Sequence, residues 1–167
     1  MPSLPVRTFP DPILKQPTRH VPKPDQETRR FIERMVRTMR SHARCVGLAA
    51  PQVGSRLRIA VMDVTGHPKA GAGHGLLVLV NPSLRRLQGG RLGREGCLSV
   101  PDFTGNVRRA QRVELEAQDE RGRRFALWLE GFEAVVAQHE VDHLDGRLFL
   151  DRVASLGADV FPRKTYR

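Results

Sequence analysis

The stretch Gln138-His139-Glu140-Val141-Asp142-His143-Leu144 reads His-Glu-x-x-His, with two imidazoles four positions apart and a carboxylate beside the first. On an α-helix, four residues advance by about 400°, so both rings emerge on one face and can share a metal ion. Glu140 then lies beside that metal as a proton acceptor. The same spacing also arises by chance on a helix surface, so the rest of the chain must distinguish the two interpretations.

The residues around this motif predict a helix from about Gly131 to Leu144, ended by Asp145-Gly146. One stripe at helical spacing joins the motif to apolar side chains: Phe132, Val135, Val136, His139, Glu140 and His143. The other faces are largely apolar too, so we expect a central helix with sheets around it. Because buried His and Glu side chains cost on the order of several kcal/mol without strong partners, this placement favours a metal site.

Strand patterns precede the helix. The segments Leu57–Val64 and Leu76–Asn81 are rich in Val, Ile and Leu and are joined by the glycine-rich segment Gly66–Gly75, which predicts a hairpin with a long loop. Apolar and polar residues alternate on both sides of a turn between about 113 and 129, which predicts a second, half-exposed antiparallel hairpin. We therefore expect an α+β fold with antiparallel sheets packed around the motif-bearing helix.

The N-terminal part of the chain predicts an extended segment followed by an amphipathic helix. Residues 1–24 contain seven prolines, which lack amide donors and disfavour helix at the preceding residue. Asp25 can cap a helix of about 17 residues, whose apolar side chains recur at helical spacing: Phe31, Ile32, Met35, Val36 and Met39. With 167 residues, the chain is expected to form a single catalytic domain over residues 1–167.

Composition narrows the function classes. Two cysteines cannot form a disulfide framework and fit a reducing cytoplasm, and neither a membrane span nor a signal pattern is present in the sequence, so we expect a cytoplasmic protein without membrane association. The formal net charge of +10 is compatible with a polyanionic partner. The arginines are scattered, however, and Trp128 is the only tryptophan and Tyr166 the only tyrosine, so no stacking platform for bases is evident. We therefore expect no sequence-specific nucleic-acid binding.

Two histidines need a third protein ligand for a tetrahedral site with one open position. Cys97, in the turn-rich segment Gly93–Pro101, is the best candidate, with Cys45 and Glu95 as alternatives. Such a site activates a water at neutral pH, and Glu140 would move its proton. Gln52 and a backbone N–H near the ligand cysteine could stabilise an oxyanion. The expected chemistry is metal-assisted hydrolysis of an amide.

Three motifs in this order resemble those of the peptide deformylase family. They are Gly47-Leu48-Ala49-Ala50-Pro51-Gln52-Val53-Gly54, Glu95-Gly96-Cys97-Leu98-Ser99 and Gln138-His139-Glu140-Val141-Asp142-His143-Leu144. The opening Phe9-Pro10-Asp11-Pro12-Ile13-Leu14 is similar to the family's N-terminal segment, so the likeness covers roughly residues 6 to 151. His-Glu-x-x-His alone is weak evidence, whereas the three motifs together are highly specific.

The resemblance implies removal of the formyl group from the N-terminal formylmethionine of nascent polypeptides, with release of formate. By position, the implied metal ligands are Cys97, His139 and His143, and Glu140 is the general acid and base. Gln52 and the Leu98 amide match the oxyanion donors. The family's native metal is typically Fe(II), with zinc, nickel or cobalt able to substitute, and the ligand set cannot choose among these.

The resemblance also implies where substrate binds. The implied pocket for the methionine side chain is apolar and is lined by Val46, Phe132 and Val136. Gly47 matches the strand that pairs with the substrate backbone, an instance of β-augmentation.

The chain departs from the family pattern just before Gly47. The family's first motif usually begins Gly-x-Gly, and here Cys45 replaces the first of these two glycines. If that backbone needs φ > 0, a cysteine is strained by about 1–2 kcal/mol. Alternatively, this position tolerates a small side chain.

Other interpretations belong to different classes. A zinc endopeptidase would use the same His-Glu-x-x-His but would leave the segment around Cys97 unexplained, and a ribosome- or RNA-binding protein with a lapsed active site would account for the charge. His67 and His74 match no known ligand spacing. The ribosome is a further expected partner, through transient association. The short basic tail Arg163-Lys164-Thr165-Tyr166-Arg167 does not support docking by a C-terminal helix, however.

Overall fold

The computed structural model describes residues 1–164 and contains two antiparallel sheets and two α-helices. The α and β elements are mixed along the chain, and every strand pair is antiparallel, so the mixed fold with antiparallel sheets expected from the sequence is confirmed. In chain order, the elements are α1 Gln26–Ser41, β1 Gly47–Ala49, β2 Ile59–Met62, β3 Leu77–Gln88, β4 Arg91–Cys97, β5 Val100–Arg109, β6 Arg112–Gln118, β7 Arg124–Glu130, α2 Gly131–Leu144 and β8 Val160–Pro162.

The larger sheet has five strands in the order β1-β2-β3-β6-β7. Both predicted hairpins are present: β2 pairs with β3, and β6 pairs with β7 from Arg112↔Glu130 to Gln118↔Arg124. Side chains of β2 alternate between the two faces of the sheet, as strand geometry requires. Ile59 and Val61 belong to one hydrophobic cluster, whereas Ala60 and Met62 belong to another. The sheet therefore has an apolar core on each face.

Helix α1 covers the first of these faces. Its N-terminus is capped by Asp25, whose carboxylate accepts a hydrogen bond of 2.8 Å from the Thr28 N–H. Ile32, Met35 and Met39 are buried in the same cluster as Ile59 and Val61. The charged side chains of the helix lie on the opposite side, so α1 buries a single stripe against the sheet.

Helix α2 follows β7 directly and lies against the other face of the five-stranded sheet. Gly131 has φ of 58°, a left-handed conformation that glycine adopts without steric cost, and this lets the chain turn from strand into helix at once. Ala134, Val136 and Ala137 join Met62 and other sheet residues in one core cluster. The helix ends at Leu144, where Gly146 (φ 76°) approaches the backbone of residues 15–16 so closely that a Cβ there would lie 2.9 Å from it.

The smaller sheet, β4-β5-β8, was not expected from the sequence. The segment Gly93–Pro101 was predicted to be turn-rich, but β4 and β5 form a hairpin in which Cys97 pairs with Val100. Its strands contain glycines, charges and a proline instead of alternating apolar residues, so pattern alone could not identify them. The hairpin places Cys97 at the end of β4, beside a tight turn at Leu98 and Ser99.

The extended N-terminal segment joins the two sheets. The Arg7 N–H donates to the Gln52 carbonyl at 2.7 Å, and the Phe9 N–H donates to the Ser99 carbonyl at 2.8 Å. One short segment thus contacts both motif-bearing loops by backbone hydrogen bonds. Within residues 1–164, no helix is both long and apolar enough to cross a lipid bilayer.

Candidate active site

The three expected metal ligands come together in space. Helix α2 carries His139 and His143 one turn apart, with ring centroids 4.9 Å from each other. The end of β4 brings Cys97 to them, and its Sγ lies 3.3 Å from Nε2 of His143. One ligand atom from each of the three residues lies within 4.8 Å of the other two, which makes this a candidate metal site.

The two alternative third ligands make other contacts. The Glu95 carboxylate accepts a hydrogen bond of 2.8 Å from Nδ1 of His139. The Cys45 thiol donates to the Gly47 carbonyl at 3.2 Å, and burial raises its pKa to about 12. A thiol with so high a pKa is a poor metal ligand, because the thiolate is the binding form.

Cys97 lies in the opposite electrostatic environment. Burial alone would raise its pKa, but the adjacent His143 and His139 outweigh this effect and hold the pKa well below 9.0. The Gln52 Nε2 also donates a hydrogen bond of 3.4 Å to the Cys97 sulfur. One thiolate and two imidazole nitrogens are donors that suit iron, zinc, nickel and cobalt, so the residues present fit a divalent transition metal.

Glu140 is buried beside this cluster and against the first motif. Burial raises its pKa to about 7, an effect that His139 and His143 partly oppose. Its Oε2 makes no hydrogen bond to any described residue, which leaves one buried oxygen to serve a ligand or substrate. A Cβ built on Gly47 would lie 2.3 Å from Oε1 of Glu140, so the glycine leaves the space that the carboxylate occupies. A carboxyl group with a pKa near 7 is suited to proton transfer at neutral pH.

The expected oxyanion donors lie on two neighbouring turns. Gln52 belongs to a 3-10 turn, where its Oε1 accepts from the Ala49 N–H at 2.9 Å and its Nε2 donates to the Ser99 hydroxyl at 3.2 Å. These bonds determine which end of the amide is the donor facing the cluster. The Leu98 N–H belongs to the turn that directly follows Cys97. Both donors therefore lie next to the candidate metal site.

The expected pocket residues Val46, Phe132 and Val136 pack together and form one apolar wall. Val46 and Phe132 pack against the core cluster that contains Val136. Gly47 begins β1, which is the edge strand of the five-stranded sheet and pairs only with β2 among the described residues. An edge strand offers unpaired backbone groups to an extended peptide. The positive φ considered for Cys45 is absent: the described non-glycine residues with positive φ are Arg44, Asn81 and Arg86.

The sequence did not indicate a buried ionic network that contacts His139 through Glu95. Arg109 donates two hydrogen bonds to Glu95, at 2.9 and 3.0 Å, and one to Asp142 at 2.5 Å. Arg152 donates a further bond of 2.7 Å to Asp142. Hydrogen bonds from His139 and Arg109 lower the pKa of Glu95 to about 2 although burial opposes them. The network therefore orients His139 with a permanently charged carboxylate, as outer partners of metal ligands do.

The loop between β2 and β3 also reaches this wall, which its sequence did not indicate. The His67 ring stacks on Phe132, with centroids 4.4 Å apart and 16° between the planes. His74 contacts the same turn of α2: its N–H donates to Glu133 at 2.8 Å, and its Nδ1 lies 2.6 Å from that carboxylate. Both histidines contact a helix that is distant in sequence, so the spacing between them could not indicate these contacts.

A Cys-His-His donor set with a buried carboxylate beside it is the arrangement of a metal-dependent hydrolase. Comparison with known proteins identifies the family. The family model for polypeptide deformylase matches residues 3–159. The peptide deformylase of Halothermothrix orenii is 41% identical over 160 residues, covering 96% of this chain and 99% of that protein. The enzyme of Dictyoglomus thermophilum is 44% identical over 147 residues, covering 88% and 90%.

Solved structures of peptide deformylases also match this fold. The crystal structure of peptide deformylase from Thermotoga maritima superposes with a TM-score of 0.84 at 38% identity, covering 93% of this chain and all of the other. That of the Synechococcus elongatus enzyme in complex with actinonin gives 0.83 at 39% identity, covering 93% and 81%. The chain belongs to the polypeptide deformylase family, so the resemblance drawn from the three motifs is confirmed.

Proposed function

We infer that this protein hydrolyses the formyl amide at the N-terminal formylmethionine of nascent polypeptides, releasing formate and a free amine. The observation that carries this conclusion is the convergence of Cys97, His139 and His143 within 4.8 Å in a chain of this family. The protein is thus a hydrolase acting on a linear amide, and its substrates are formylmethionyl peptides.

We propose Cys97, His139 and His143 as the metal ligands and Glu140 as the general acid and base. These three residues would hold a divalent metal, whose Lewis acidity would lower the pKa of a bound water and polarise the formyl carbonyl. Glu140, with its pKa near 7 and a free Oε2, accepts a proton from the attacking water and returns it to the leaving amine. Glu95 keeps His139 oriented throughout.

The negative charge that forms on the carbonyl oxygen needs donors that are already in place. We propose Gln52 Nε2 and the Leu98 N–H for this role. The bonds of Gln52 to Ala49 and Ser99 support it, because they hold the amide before substrate arrives. Preorganised donors lower the barrier since they need not reorient during the reaction.

Substrate binding is proposed to use the edge of β1 and the wall beside α2. Gly47 would pair with the peptide backbone, and Val46, Phe132 and Val136 would contact the methionine side chain. The apolar packing of these three residues supports a site for a thioether side chain. The His67 ring on Phe132 extends the same wall.

Fe(II) is the metal proposed for the native enzyme, one ion per chain, with zinc, nickel or cobalt as substitutes. The donor set supports each of them and does not rank them. We further propose that α2 acts as the central helix of the fold and α1 as the amphipathic helix covering the sheet, within one catalytic domain of residues 1–167. The buried surfaces of both helices support these roles.

The proposed setting is the cytoplasm, where nascent polypeptides emerge, with transient ribosome association as a further proposal supported by the formal net charge of +10. The part of the basic tail from Thr165 to Arg167 lies outside the described residues. Salt-dependent co-sedimentation with ribosomes tests the association, and absence of pelleting at low salt would contradict it.

Formate release tests the function directly. Protein prepared without oxygen, analysed for metal, is offered a formylmethionyl peptide and an unformylated peptide with internal bonds. We expect about one metal per chain, formate from the first peptide and no cleavage of the second. Cleavage of internal bonds only would show an endopeptidase, and tight, salt-sensitive RNA binding without metal would indicate a binding protein.

A further inference from the structure

The C-terminal strand brings an arginine to the backbone of the candidate site. Strand β8 pairs with β5, and the Arg163 N–H continues this pairing by donating to the Asp102 carbonyl at 2.8 Å. From this anchored position, Nη2 of Arg163 donates a hydrogen bond of 3.2 Å to the Cys97 carbonyl. A residue 66 positions away in sequence thus contacts the peptide group next to a proposed metal ligand.

That peptide group has two functional ends. Its carbonyl belongs to Cys97, and its N–H belongs to Leu98, which is one of the two proposed oxyanion donors. Because Cys97 pairs with Val100, Leu98 and Ser99 form a two-residue hairpin turn. The first N–H of such a turn takes no part in the ladder, and the Leu98 N–H makes none of the turn, loop or cap backbone hydrogen bonds within residues 1–164. It is therefore available to substrate.

Hydrogen bonds to the two ends of one peptide group strengthen each other. A cationic donor at the carbonyl draws electron density from the nitrogen, so the N–H becomes a better donor. The hydrogen bond from this cationic donor also restrains rotation of the peptide plane during the reaction. We propose that Arg163 is a positioning residue that holds and polarises the Cys97–Leu98 peptide so that the Leu98 N–H stabilises the oxyanion. This inference rests on the proposed function of the site.

Gly96 provides the room for this contact. A Cβ built on Gly96 would lie 2.7 Å from Nη2 of Arg163, closer than real contacts allow. The guanidinium therefore reaches the carbonyl across a position without a side chain. Arg163 itself lies outside residues 3–159, which the family model matches.

The kinetic test replaces Arg163 with Gln and with Lys in the metal-loaded enzyme. Because an oxyanion forms only in the transition state, we expect R163Q to lower kcat about fivefold, with KM changed less than about twofold. R163K, which keeps a charged donor, should recover part of kcat. The effect is smaller than loss of an oxyanion donor, since the guanidinium is exposed and its field is screened.

Arg94 supplies the matched control. It is a nearby arginine whose guanidinium lies 3.8 Å from the Phe161 ring centre and donates to Asn106, without contact to the Cys97–Leu98 peptide. R94Q removes the same charge and should leave kcat, KM and metal content unchanged. If R94Q lowers kcat as much as R163Q does, general charge or strand packing explains the effect and the proposal fails.

Gly96→Ala gives an independent route to the same contact. The added methyl should push the flexible end of Arg163 off the carbonyl, so G96A should also lower kcat about fivefold. In a double-mutant cycle, G96A should then have no further effect in the R163Q background. Full additivity of the two substitutions would contradict the proposed contact.

A spectroscopic test does not depend on turnover. The pair Cys-Leu occurs once in the chain, at Cys97-Leu98, so ¹³C-carbonyl cysteine combined with ¹⁵N-leucine yields a single correlated NMR signal. R163Q and G96A should shift this signal in the same direction, and R94Q should leave it in place. If the signal does not move in R163Q and G96A, the inference is wrong. If the wild type releases no formate, the proposed function is wrong, and the NMR signal still tests the Arg163 contact.

Discussion

The two helices of this protein bury their residues for different purposes. Of the 16 residues in α1, four are buried: Ile32, Met35, Thr38 and Met39. Of the 14 in α2, ten are buried, and they include ionisable residues: Glu133, Glu140, Asp142 and His143. α1 therefore contributes stability by packing one apolar stripe, while α2 keeps polar groups away from water at a cost that partners must offset.

Most buried polar groups of α2 have such partners. Gln138 donates to the Ala110 carbonyl and accepts from its N–H, both at 2.9 Å, and Asp142 is paired with Arg109 and Arg152. Among the described buried side chains of α2, Oε2 of Glu140 and Nδ1 of His143 have no hydrogen-bond partner. Both exceptions lie at the candidate site. Unsatisfied groups therefore distinguish the part of α2 assigned to chemistry from the part that only packs.

The largest expected effect comes from removing the thiolate next to α2. Cys97→Ala should abolish metal binding and activity, because two imidazoles alone hold the ion weakly. Metal per chain, measured after purification without oxygen, should fall from about one to near zero. Cys45→Ala is the control and should keep the metal. If C97A retains about one metal per chain, Cys45 or Glu95 is the third ligand instead.

The next largest effect is expected from removing the Glu140 carboxylate, which lies between the two histidine ligands in the sequence. Glu140→Ala should keep the metal and lower turnover by at least about 10²-fold, the usual scale for a lost general base. Steady-state formate release and metal analysis on the same sample separate the two quantities. Glu130→Ala, at an exposed residue just before α2, should leave turnover unchanged. Unchanged turnover in E140A would remove Glu140 from the mechanism.

On α1, the expected effect is on stability alone. Met35 is fully buried in the cluster on the other face of the sheet, so Met35→Ala should lower the free energy of unfolding by about 2–5 kcal/mol. Denaturant titration measures this, and kcat per folded molecule should not change. Leu156→Ala, at a leucine that is 69% exposed, serves as the surface control. A large fall in kcat for M35A would show that α1 is coupled to the site.

The smallest effect is expected at the cap of α1. The Thr28 N–H stabilises the ionised Asp25 and lowers its pKa from 3.8. A lowered pKa means that the cap stabilises the fold at neutral pH and loses this effect as the pH falls from 3.8 through the folded-state value. Asp25→Ala should thus lower Tm by a few degrees at pH 7, and less in acid. A Tm difference that grows in acid would contradict this sign.

Particular residues show why some elements could be predicted. In β6 and β7, apolar and polar residues alternate with a period of two, and a Gly turn separates them, so pairing followed from local pattern. Asp25 and the stripe from Ile32 to Met39 predicted α1 for the same reason. The β4–β5 hairpin lacks such a pattern, because its strands are stabilised by contacts with β8 and the N-terminal segment, which are distant in sequence.

The sequence by itself determined the family, the spacing of His139 and His143 and the identity of the residues expected around them, since these depend on helical geometry and on motifs of contiguous residues. Only the tertiary structure decided which groups surround them. The bond from Glu95 to His139, the reach of Arg109 to Asp142 and the contact of Arg163 with the Cys97 carbonyl all join separate elements. Such contacts depend on how strands and helices pack, and no local spacing encodes them.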